Sequence, residues 1–122
     1  MTRTSMTAIA ASLMLICGAT AAFAHAQLEK AVPSVGGTVV SASEIRLTFS
    51  EGVEPKFSGV TLTSPAGANV PLGQPKVEGG DQRVLIVPIT NALAAGAYTV
   101  HWHAVSVDTH HTQGTFKFTV KP

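Results

Sequence analysis

Leu93-Ala94-Ala95-Gly96-Ala97-Tyr98-Thr99-Val100-His101-Trp102-His103-Ala104-Val105 is the stretch whose reading decides the fold. Tyr98, Val100 and Trp102 recur at every second position, and in an extended chain such residues line one face. The other face receives His101 and His103, so the segment reads as a strand with one side against a core. Ala95-Gly96 supplies the turn before it, and a tyrosine just inside a strand after such a turn resembles a tyrosine corner, in which the phenol ties a connection between sheets to nearby backbone. Tyr98 is therefore read as structural and Trp102 as the centre of the core. Asn91 to Ala95 is expected to form a helical turn ahead of the corner.

The same alternation recurs on both sides of this segment: Ile45, Leu47 and Phe49; Val60 and Leu62; Val84, Ile86 and Pro88; Phe116, Phe118 and Val120. No comparable helical period is present. Turn formers separate the runs, at Val35-Gly36-Gly37, Ser64-Pro65-Ala66-Gly67 and Glu78-Gly79-Gly80-Asp81. Short strands at this spacing predict an all-β domain, an immunoglobulin-like Greek-key β-sandwich of about seven strands.

The N-terminal residues read differently. Arg3 is followed by an apolar stretch from Met6 to Ala19, and Ala22-Phe23-Ala24 is the small-x-small pattern after which signal peptidase cuts. Residues 1–24 are thus expected to be a cleaved signal peptide and the protein to be exported, leaving one domain over residues 25–122. Removing 24 of the 122 residues leaves 98, enough for a single modest core. The one cysteine, Cys17, lies in the signal, and Met14-Leu15-Ile16 ahead of it lacks the small residue a lipoprotein signal requires. Residues 25–122 have no disulfide or thiolate site to call on. They carry 7 of the 8 Lys+Arg, Arg3 being the other, against all 7 Asp+Glu, with no basic run, which argues against nucleic acid as a partner.

All five histidines, His25, His101, His103, His110 and His111, follow the cleavage position. Cleavage after Ala24 makes His25 the new N-terminus, where its α-amine and ring Nδ1 close a six-membered chelate that no internal histidine can offer. Copper(II) heads the divalent affinity order and accepts a tetragonal, nitrogen-rich plane, so this donor pair favours Cu(II). In Asp108-Thr109-His110 the period-two spacing puts a carboxylate and an imidazole on one side of an extended segment. His110 would supply a third nitrogen, and Asp108 a fourth ligand or an acceptor that orients an imidazole or water. Together they would form a T-shaped site for one Cu(II) ion. Glu51, after the strand ending at Phe49, is a further candidate, either in the outer coordination sphere or holding the terminal amine; an exposed loop carboxylate is its other reading. His111 stands as an alternative to His110. For His101 and His103, solvated strand positions and a weaker auxiliary metal site are both open.

His25-Ala26, Phe49-Ser50-Glu51, Phe57-Ser58-Gly59, Ala95-Gly96-x-Tyr98 and Val105-Ser106-x-Asp108-Thr109-His110 together resemble the CopC family of periplasmic copper-resistance proteins. The resemblance spans residues 25–122. It implies a β-sandwich often described as cupredoxin-like, and a Cu(II) histidine brace with His25, Asp108 and His110 at the matching positions and Glu51 beside them. It further implies a periplasmic holder or carrier of one copper ion in copper homeostasis, a monomer, with a CopD-type inner-membrane protein as a possible partner. Some members bind Cu(I) through a methionine-rich loop. Here Thr61 to Gln74 contains neither methionine nor histidine, and Met1, Met6 and Met14 all precede residue 25, so the chain resembles the Cu(II)-only kind.

Two other classes remain as alternatives. Lytic polysaccharide monooxygenases also place a histidine brace on a β-sandwich, but they need a broad substrate face set with aromatics, and the single Trp and single Tyr of this chain both read as core. The second is a metal-independent exported interaction domain. A brace is destroyed by any residue left in front of His25, whereas such a module is indifferent to one. The expectation is a binding protein with no enzymatic step.

Overall fold

The alternations resolve into two facing antiparallel layers in the computed structural model, which describes residues 25–122. Nine strands are formed: β1 Leu28–Val32, β2 Thr38–Val39, β3 Glu44–Phe49, β4 Gly59–Thr63, β5 Asn69–Val70, β6 Lys76–Glu78, β7 Asp81–Pro88, β8 Gly96–Val105 and β9 His111–Val120. One sheet has the order β1-β3-β7-β6 and the other β2-β9-β8-β4-β5. Every pairing is antiparallel except the two-residue contact of β2 with β9. The described residues form an all-β sandwich, as expected; the signal peptide expected over residues 1–24 lies outside them.

The core fills the space between the inner faces. Ile45, Leu47 and Phe49 of β3 are fully buried, as are Leu62 of β4, Leu85 of β7 and Val100 of β8. Trp102 is 9% exposed and meets Phe49 edge to face at 5.3 Å between ring centroids, so the two sheets are joined through this aromatic pair. The Tyr98 hydroxyl donates to the Ala94 carbonyl at 2.7 Å while its ring stacks on Phe118, which is the tyrosine corner the sequence predicts.

Three expectations need correction. Asn91 to Ala95 forms bends and irregular backbone and no helical turn, its Ala94 carbonyl being taken by Tyr98. The described residues form nine strands where about seven were expected, because β1, β2, β5 and β6 are too short or too polar to show a period. In β7 the residues in the central cluster are Leu85 and Val87, whereas Val84 and Ile86 are buried on the opposite side. Val84-Leu85-Ile86-Val87 is an unbroken apolar run, so period alone could not choose a face. The register explains the second burial: Ile86 is paired with Arg46 on one side and Lys76 on the other, and such side chains lay their alkyl stems over an apolar neighbour.

Candidate metal centre

The two longest strands, β8 and β9, are joined by the five residues Ser106 to His110, and this connection carries two of the candidate ligands. The Ser106 N–H donates to the His110 carbonyl at 2.9 Å, and the Thr109 N–H donates to the Ser106 carbonyl at 2.8 Å. Thr109 has φ of 74°. A β-branched residue in the left-handed region is strained, and such strain persists only where the surroundings impose it. The segment is therefore not the extended stretch expected, and it is the turn at Thr109, rather than a two-residue strand period, that sets Asp108 and His110 beside each other, His110 Nδ1 lying 3.1 Å from Asp108 Oδ1. The connection is also fastened to the loop after β3, since the Val107 N–H donates to the Gly52 carbonyl and the Glu54 N–H to the Val105 carbonyl.

Ser106 organises this hairpin. It is fully buried, its Oγ donates a short hydrogen bond to Asp108 Oδ1, and the same Oγ accepts from the His110 N–H at 3.2 Å. The Ser106 hydroxyl, and after it His110, hold the Asp108 carboxyl below the usual carboxylate range, outweighing partial desolvation. Asp108 therefore stays an anion through neutral and mildly acidic pH.

The N-terminal segment is brought to the same place. Ala26 is fully buried, and its carbonyl accepts from Thr112 Oγ1 of β9 at 2.8 Å. Ser50 Oγ donates to the His25 carbonyl at 3.2 Å and accepts from the Gln27 N–H at 2.9 Å. The outcome is that the His25 and His110 rings meet edge to face, with centroids 4.8 Å apart and planes at 67°.

Of the sequence-derived candidates, His110 thus meets His25 on its ring and Asp108 at its Nδ1. Glu51 is half-buried between Ser50 and Gly52, which are tied to this end by the Ser50 hydroxyl and the Gly52 carbonyl. His111 opens β9 opposite Val105 and is exposed, and the ring against His25 is that of His110. Among the described residues no three His, Cys, Asp or Glu side chains are gathered as a ready metal cluster. The donor chemistry nonetheless suits a Cu(II) ion. With Nδ1 paired to Asp108, Nε2 is the nitrogen that His110 would turn to a metal, and an N-terminal histidine would add a backbone amine, which is not a side-chain donor. Sequence reasoning singled out none of Ser106, Thr112 and Ser50 as organisers, although the Ser106-x-Asp108 spacing carries a signal, placing a hydroxyl on the carboxylate's side of the chain.

Comparison with known proteins bears on what this end of the sandwich is. A family model described as the CopC domain matches residues 28–121, which hold all nine strands together with Asp108 and His110. The chain belongs to the CopC family. Protein YobA of Escherichia coli strain K12 is 45% identical over 100 residues, covering 81% of each chain. The CopC-family relative named copper resistance protein C from Escherichia coli is 37% identical over 106 residues, 82% of this chain and 84% of its own. The crystal structure of PcoC, described as a methionine-rich copper resistance protein from Escherichia coli, superposes with a TM-score of 0.69 at 36% identity, over 80% of this chain and all of that one. In contrast to that description, this CopC-family chain has no methionine after residue 14.

Proposed function

We propose that this CopC-family protein binds copper in copper resistance, holding one Cu(II) ion through a histidine brace and passing it on without a catalytic step. The observation that carries this reading is the meeting of the His25 and His110 rings at 4.8 Å, with Asp108 paired to His110 Nδ1. The names of the CopC-family relatives support the copper assignment. In this reading residues 1–24 are a signal peptide, cleavage frees the His25 amine in the periplasm, and the amine with the rings of His25 and His110 forms the T-shaped donor set. Asp108 orients His110 or fills a further position, and Glu51 belongs to the outer sphere or holds the amine. Copper is cargo here. The absence of thioethers after residue 14 favours Cu(II) over Cu(I), since soft sulfur ligands select the reduced ion. Burial of Tyr98 and Trp102 speaks against a copper monooxygenase, because both are spent on the core and unavailable to a substrate face. The carrier acts as a monomer, and a CopD-type inner-membrane protein is the acceptor this role calls for.

The deciding experiment is a Cu(II) titration with electron paramagnetic resonance on two preparations, one starting at His25 and one with a single glycine ahead of it. The expected result is tight one-to-one binding with a nitrogen-rich signal in the first and marked weakening in the second. Equal binding by the two preparations refutes the brace.

A further inference from the structure

The outer face of the five-stranded sheet carries histidines that the centre above does not use. His101 and His103 are two residues apart on β8, opposite in direction to Trp102, and both are exposed. Two residues of strand advance by about 6.6 Å. Two imidazoles on one face at that spacing can turn their ring nitrogens onto a single ion at the usual ~2.0–2.1 Å.

The neighbours of His101 suit that use. Thr115 is its partner in the β8–β9 register, and Thr115 Oγ1 lies 3.2 Å from His101 Nδ1. With the proton on Nδ1 the ring donates to the hydroxyl and Nε2 directs its lone pair outward, the way an outer-shell hydroxyl or carbonyl fixes a ligating imidazole. His103 is placed differently. Its partners in register are Gly59 on β4 and Gln113 on β9. A Cβ at Gly59 would sit 3.2 Å from His103 Cε1, so the ring lies over bare backbone with no side chain of that residue to hold it. It can swing about its own χ angles toward His101. The remaining register partners, Thr61 and Gln113, are uncharged, and Lys117, diagonal to His101 through its pairing with Thr99, weakens cation binding without occupying the space between the rings.

We propose that His101 and His103 form a second, weaker metal site on this outer face, a two-imidazole chelate for a borderline divalent cation such as Zn(II) or Cu(II). It is independent of the free amine of His25 and of the copper-carrier reading.

The test is a Zn(II) titration of nitrogen-15-labelled residues 25–122, which contain both sheets and the whole core, following the imidazole nitrogens by NMR. The ring signals of His101 and His103 are expected to shift together on one saturation curve, and to do so equally in a His25→Ala background. His101→Asn or His103→Asn weakens the response of the remaining ring by on the order of a hundredfold, the loss expected when a two-point attachment becomes one. His111→Asn leaves it unchanged. The inference is overturned if the two rings respond with different midpoints, if the His101 response survives His103→Asn at the same Zn(II) concentration, or if neither ring responds to millimolar Zn(II).

Discussion

Ser106 shows how a residue that binds nothing can govern a site. Its single oxygen serves the Asp108 carboxylate and the His110 N–H at once, from a fully buried position. Replacing it by alanine removes the hydroxyl that ties these two groups together, while both stand partly open to solvent. Ser106→Ala is expected to lower stability by about 0.5–1.5 kcal/mol, read as a fall in Tm of roughly 4–8 °C per kcal/mol for a domain of this size. Copper affinity should fall by about 10–100-fold, as when the outer support of a ligand is lost. Unchanged affinity in the Ser106→Ala protein, measured by competition with a chelator, would show that Asp108 and His110 keep their places without it. The contrast with His110 is instructive for what a sequence discloses. An imidazole two residues from an aspartate announces metal chemistry by its type, whereas a serine gains its meaning only from burial. Glu51 illustrates the converse, since its residue type named it a candidate, while its neighbours, through the Ser50 hydroxyl and the Gly52 carbonyl, tie the loop into this end.

At the scale of the element, β8 and β9 are the strands that matter most, and their pairing depends on a residue without a side chain. Gly114 is in register with Trp102, and a Cβ there would lie 2.6 Å from one carbon of the indole and 2.8 Å from its nitrogen. The ring therefore rests on the glycine and cannot remain if a methyl group is added. Gly114→Ala should cost about 1–3 kcal/mol through forced repacking. It should appear as a lower urea midpoint with the slope unchanged, accompanied by a shift in Trp102 fluorescence. Stability and emission that both stay at their starting values would mean that the indole does not lie against residue 114. The strands with a clean alternation, β3, β8 and β9, were legible in the sequence because one face of each is wet. The β7 face was not, because both of its sides are covered and the period is erased. The two-residue strands β2 and β5 were beyond reach for a different reason, since two residues define no period at all. The irregular Asn91–Ala95 segment misled by its alanines, which favour helix in isolation, while the tyrosine corner claims the Ala94 carbonyl.

Across the whole molecule, the candidate centre is made by three distant parts of the chain: the N-terminal segment, the loop after β3 and the β8–β9 connection. Thr112 is the fastening between the first and last of these. Thr112→Val preserves the shape and removes the hydrogen bond, and is expected to cost about 0.5–1.5 kcal/mol. Amide exchange should quicken at Gln27 while the amides of β3 and β8 keep their protection, since the segment can loosen without opening the sandwich. Uniform acceleration over both sheets would instead make Thr112 a determinant of global stability. The fold as a whole was readable because a small domain without disulfides has few ways to bury this many apolar residues. The convergence of the three parts was not, because nothing local in residues 25–28 states which strand they will meet.

That fastening has a temporal meaning as well. The Thr112 hydroxyl and the Ala26 carbonyl are 86 positions apart along the polypeptide, and contacts of such long range are made late, after the loops between them have been closed. The imidazoles of His25 and His110, separated by a similar length of chain, meet edge to face only when the final hairpin has docked. A polypeptide cut before its last strand has no paired rings to offer, so the meeting of the two rings is itself a certificate that folding has finished.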